Sequence, residues 1–157
     1  MTLDDLTVNF RHLDRANLLS DWRWLTGQAK LPIMLTAAGD AFLQDAGDGS
    51  VHFLDVTAGQ LVLAADSLEA FNALLKDRAF VMDRFSVELI ADLRQQGHTL
   101  SAGQIFSFKT PPVLGGTYAL DNFEPTDIEV HFTVLGQIHE QVSKLPPGTA
   151  VKGVHIK

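Results

Sequence analysis

The chain has 157 residues, 46% of them hydrophobic, with ten Phe and no Cys. That length fits one domain of ordinary size with a real core, and a chain this hydrophobic is not expected to be disordered. Nineteen acids against twelve Lys and Arg leave a net charge of −7, which argues against direct binding to nucleic acid or anionic membranes, and the lack of cysteine removes disulfides, thiolate zinc sites and cysteine nucleophiles.

From the N-terminus, Leu3, Leu6, Phe10 and Leu13 recur at helical spacing within Leu3 to Leu19. Asp4, Asp5 and Asp14 interrupt any continuous apolar stretch there, so no signal peptide is expected. The longest purely apolar strings, such as Leu61 to Ala65, are far short of the ~20 residues a membrane span needs. A cytoplasmic protein is the expectation. Ser20 or Asp21 can cap a short helix through Trp22 and Trp24 that Gly27 ends.

Pro32 then opens a series of short apolar runs: Pro32 to Thr36, Ala41 to Gln44, Val51 to Leu54 and Leu61 to Ala65. Gly39-Asp40, Gly47-Asp48-Gly49 and Gly59 separate them as turn signals. Links this short permit hairpins but not parallel crossovers, so an antiparallel meander is predicted. Two helices follow. Asp66 and Glu69 have capping-box spacing before the stripe of Leu68, Phe71, Leu74 and Leu75. Ser86 is placed as the second cap, with Phe85 and Ile90 spaced as a hydrophobic staple and Gly97 as the stop.

Ile105 to Lys109 reads as a strand, and Pro111 to Gly116 as irregular chain. Ile128, Val130, Phe132 and Val134 alternate with Asp127, Glu129, His131 and Thr133, which predicts a half-buried strand. A short helix opened by Gly136 and closed before Pro146, and an edge strand over Thr149 to Ile156, complete the reading. The expected class is α+β: a mainly antiparallel sheet of short strands with three to five helices packed on one face, in a single domain over 1–157.

The acids are unevenly spread. Asp40 to Asp83 holds eight acids and two bases, and Thr117 to Glu140 holds five acids with no Lys or Arg. Such runs are commonly solvated surface, but two acidic blocks can also meet as one face. Chemical motifs are sparse. Glu129, His131, His139 and Glu140 could supply metal ligands, yet no pair of histidines is fixed on one helix face and no metal site is expected. Asp40, Asp45 and Asp55 could converge as catalytic carboxylates, although Asp beside Gly more often forms turns. No Gly-x-Ser-x-Gly elbow or phosphate-cradling loop is present. No catalytic residue and no cofactor are assigned.

Three groups of residues resemble a known bacterial family. They are Gly39-Asp40-Ala41-Phe42-Leu43 with Val51, Leu54-Asp55 and Gly59; Lys109, Pro111, Gly115-Gly116, Tyr118 and Asn122; and Gly136-Gln137-Ile138-His139 with Gln141, Leu145-Pro146 and Gly148. The family, of formerly unknown function, is described as the C-terminal domain of immunity proteins against type VI secretion DNase effectors, often joined to a GAD-like domain. The resemblance runs from about Trp22 and is strongest from Ser101 to Gly148. It implies a non-catalytic protein that binds and neutralises a cognate nuclease-type toxin.

Carboxylates can imitate phosphates in a basic nuclease cleft. The expected contact residues are Asp40, Asp45, Asp48, Asp55, Asp121, Glu124, Asp127 and Glu129. One alternative is a small-ligand-binding protein or metal-dependent hydrolase, with a site near Tyr118, Glu129 and His131 and a pocket of Gly115, Gly116, Tyr118, His131 and His139. Another is an oligomeric scaffold domain.

Overall fold

The computed structural model describes residues 1–157. The four apolar runs after Pro32 form the predicted meander: β2 (Lys30–Thr36), β3 (Ala41–Asp45), β4 (Val51–Asp55) and β5 (Gln60–Ala65), each antiparallel to the next. The N-terminal stretch does not make one helix. It divides into α1 (Leu3–Leu6), β1 (Thr7–Val8), which pairs with β2 as a fifth strand, and α2 (Arg15–Leu18), capped by the Asp14 carboxylate. A 3-10 turn (Ser20–Trp22) and α3 (Arg23–Thr26) lead to Gly27, whose φ of 74° ends the turn as expected.

Beyond the meander lie α4 (Leu68–Leu74), α5 (Arg78–Arg84) and α6 (Val87–Gln95). Ser67, not Asp66, caps α4, accepting from the Ala70 N–H at 3.1 Å. A second small sheet pairs β6 (Gln104–Phe108) with β7 (Phe123–Asp127). Pro125 is tolerated in β7 because that strand has a partner on one side only. The Phe106 N–H donates to the Ala37 carbonyl, which ties β6 to the turn after β2.

The strand predicted over Ile128 to Val134 is instead the first half of α7 (Ile128–Ser143), the longest helix. Ile128, His131, Phe132, Leu135, Gly136, Ile138 and His139 are its buried residues, a helical period that overrides the local alternation. Val130, expected inside, is half exposed. No regular structure follows Ser143, so the predicted last strand is absent.

The class is α+β, with four helices of seven residues or more beside three single turns. The helices cover both faces of the large sheet, not one, because β3 and β4 bury both faces. Ala41, Leu43 and Leu54 face Phe132, Leu135 and Ile138 of α7. Phe42 and Phe53 face Phe71, Phe85, Ile90 and Leu93 of the α4–α6 layer. Phe42 lies within 6.0 Å of the ring centroids of Phe53, Phe71, Phe80 and Phe85. No helix is long and apolar enough to cross a membrane.

Candidate functional site

The ends of β3 and β4, the α5–α6 junction and the β6–β7 connection do not close on one another. They leave a cleft of about 630 Å³, a size usual for ligand sites. Asp40 and Asp55 come from the strand ends, Asp83 and Arg84 from α5, Glu88 and Asp92 from α6. Phe53, Phe108, Tyr118, Leu120 and Phe123 supply apolar surface. Five carboxylates therefore share the cleft with one cation. That cation is already engaged: the Arg84 guanidinium lies 3.3 Å from Asp83 and 5.1 Å from the centre of the Phe53 ring.

Asp40 is held at the cleft from behind. Gly39 precedes it with φ 92°, and a side chain at Gly39 would collide with the His131 ring. His131 Nε2 lies 2.7 Å from the Gly39 carbonyl, and Nδ1 lies 2.8 Å from Ser107 Oγ. A carbonyl only accepts, so Nε2 carries the proton and Nδ1 accepts from the serine hydroxyl. Burial pushes the His131 pKa down to about 4, so the imidazole is neutral. The Asp40 N–H donates to Thr36 Oγ1 at 3.0 Å, and its Oδ1 accepts from the Val56 N–H at 2.9 Å.

Only 8% of Asp40 is exposed. Burial, and then the charge of Asp55, push its carboxyl up to about 8, against the opposing pull of the Val56 N–H and Arg84. A protonated carboxylic acid thus forms part of the wall of an acidic cleft. At the lip, Ser86 has φ 50°, the one non-glycine residue in the left-handed region. Its side chain makes no cap hydrogen bond to α6. Strain of this kind costs about 1–3 kcal/mol and clusters at functional sites.

Of the eight acids expected to contact a partner, only Asp40 and Asp55 line the cleft. Asp45 and Asp48 occupy the opposite end of the β3–β4 hairpin, about 17 Å away along the strand. There Asp45 accepts from the Gly47 and Asp48 N–H groups and pairs with Lys30 at 3.1 Å. Asp48 accepts from the Ser50 hydroxyl and N–H. Those bonds hold both carboxyls below the ordinary value. Asp121 is exposed beside Leu120 of the cleft, Glu124 is exposed at the start of β7, and Asp127 and Glu129 are exposed where β7 meets α7.

The five residues expected to form one pocket are not brought together. Tyr118 lines the cleft and is 68% exposed. Gly115 and Gly116 belong to the preceding loop, where a side chain at Gly116 would strike the Thr110 carbonyl. His131 is buried behind Gly39, and His139 is buried against Trp22 and Gly59. Glu129 and His131 are two residues apart on a helix, hence on different faces. Sequence reasoning missed Asp83, Arg84, Ser86, Glu88 and Asp92 as site residues. The spacing of Glu88 and Asp92, four apart on one helix face, was the available signal.

Residues 65–139 match the family model for the C-terminal part of the T6SS immunity protein Tdi1. The chain resembles a type VI secretion immunity protein. The matched segment is just under half of the chain and contributes the α5, α6 and β6–β7 walls of the cleft. Among solved structures, that of Atu4351 from Agrobacterium tumefaciens is similar at 18% identity and a TM-score of 0.57, which supports a shared fold. The similarity covers 80% of this chain and 65% of that one, so this chain corresponds to part of the neighbour's length. No curated protein matches.

Proposed function

We propose that this protein binds and neutralises a cognate nuclease-type effector in the cytoplasm, without catalysis, by presenting the acidic cleft and its rim. The immunity-protein match supports the class of function. The concentration of Asp55, Asp83, Glu88 and Asp92 around one concavity supports the mode of contact, and is the observation that carries it. Nucleases hold polyanionic substrate in basic grooves, and a complementary acidic surface speeds association and selects the partner. Exposed Tyr118 beside these acids is the kind of aromatic anchor found at the centre of interfaces. Arg84 lies 3.3 Å from Asp83 on that rim.

Co-expression with the product of the adjacent gene tests the reading, with growth and intact chromosomal DNA as readouts. The expected result is loss of viability and DNA degradation with the neighbour alone, and rescue with this protein. A neighbour harmless alone, or equally lethal in both conditions, would overturn it.

A further inference from the structure

We propose that the cleft seats a cationic side chain of the partner, an arginine, with its guanidinium on the Asp40 and Asp55 carboxylates and its plane against Tyr118. This deepens the binding reading above and rests on it.

Asp40 carries the inference. More than nine-tenths of the residue is buried, yet it borders the cleft, and only Oδ1 has a protein partner. Oδ2 is without one. That oxygen is open to the cleft rather than sealed in the core, and ionising so largely buried a carboxyl carries a cost. An incoming guanidinium offsets it, because a planar donor fork matches carboxylate geometry. The cleft also shows that it suits this group, since Arg84 already rests on the Phe53 face with Asp83 as counter-ion. With Arg84 so engaged, Asp55 and the exposed Glu88 and Asp92 remain without a basic partner in the cleft. Phe108 meets Tyr118 edge-on at 5.5 Å and orients that ring.

The site is proton-linked. The charged and titratable groups around Asp40 are Asp55 on β4, Asp83 and Arg84 on α5, Glu88 and Asp92 on α6, Tyr118 on the β6–β7 connection, and neutral His131 behind Gly39. Asp40 holds its proton up to about pH 8 in the free protein. Cation binding requires the carboxylate, so one proton leaves Asp40 for solvent as the guanidinium docks. Affinity therefore rises about tenfold per pH unit below that value and levels above it.

The experiment titrates the full chain with N-acetyl-arginine methylamide, and with the uncharged citrulline analogue as control. Side-chain carboxyl and amide NMR shifts are followed from pH 6 to 9. The arginine probe is expected to bind in the millimolar range, shifting Asp40, Asp55 and Tyr118, at least tenfold more tightly than citrulline. Binding should strengthen with pH as above. Asp40→Asn is expected to fold, to abolish the pH dependence and to weaken binding at least tenfold at pH 8.5. Tyr118→Ala, at an exposed position, provides a second variant and is expected to weaken binding several-fold. Absence of shifts at the cleft, equal binding of citrulline, or pH-independent affinity would overturn the proposal. If the arginine probe binds but the neighbouring gene product is not neutralised, the immunity reading falls and the cation site stands. If Asp40→Asn neutralises that product as well as wild type, the cation site falls and the immunity reading stands.

Discussion

At the scale of residues, Asp40 and His131 are back-to-back groups with opposite titration behaviour. Folded Asp40 keeps its proton to about pH 8, while the unfolded chain releases it near 3.8. The folded state thus binds more protons between those values, and stability falls as pH rises through that window. His131 refuses a proton down to about pH 4, while the unfolded chain takes one near 6.5. Stability from His131 is fully present above 6.5 and is lost as pH falls towards 4. His52 and His139, whose pKa values burial also lowers, act in the same direction.

The melting temperature is therefore expected to peak in mild acid, near pH 6, and stability to drop by about 2 kcal/mol between pH 6.5 and 8. Asp40→Asn should remove that alkaline loss and raise the Tm at pH 8. A wild-type Tm that climbs steadily from pH 6 to 8 would contradict the burial of Asp40. His131→Ala would orphan Ser107 Oγ and the Gly39 carbonyl and leave a cavity, at a cost of about 3 kcal/mol, read by urea unfolding; a loss below about 1 kcal/mol would show that the brace is unimportant. Gly39-Asp40 was legible in the sequence as a turn. The burial of its carboxyl was not, because the groups around it, Val56, Arg84 and the β6–β7 connection, come from elsewhere in the chain.

At the scale of elements, α7 shows how a short window misleads. From Asp127 to Val134 the apolar residues alternate, and β-branched types are frequent. Continued to Leu135, Ile138 and His139, the same residues form a helical stripe, and the larger apolar face decides. Gly136 lets this helix approach the Ser20–Trp22 turn closely, where the Trp22 indole N–H donates to the Phe132 carbonyl at 2.9 Å. A Cβ there would sit 2.6 Å from the Asp21 carbonyl oxygen. Gly136→Ala gains helix propensity, but the backbone clash outweighs it, and a net loss of about 2 kcal/mol, or a Tm about 5 °C lower, is expected. An unchanged or higher Tm would show that the helix contact is looser. At the α5–α6 junction, Ser86→Gly relieves the left-handed backbone and should stabilise by about 1 kcal/mol in the same assay. Destabilisation would show that the hydroxyl has a structural role. Glu88 and Asp92 repel at i,i+4 spacing, so α6 keeps both at a cost in its own stability, as a binding surface would.

At the scale of the whole molecule, the meander was readable because glycine-rich turns bracket each short apolar run. The doubled core was not, since the apolar runs of β3 do not say which helix covers which face. The two acidic blocks were legible as composition. Their fate was not: the hairpin separates Asp45 and Asp48 from Asp40 and Asp55 by the length of the strand, while the fold brings Asp83, Glu88 and Asp92 to the latter pair. One acidic concavity results, edged by the exposed Tyr118. The most direct test of its role is calorimetric titration of the adjacent gene's product into wild-type protein and into an Asp83→Lys, Glu88→Lys, Asp92→Lys variant of unchanged Tm. Tight binding that weakens with salt, and falls at least a hundredfold in the variant, is the predicted result. Equal affinity for the two proteins would contradict it.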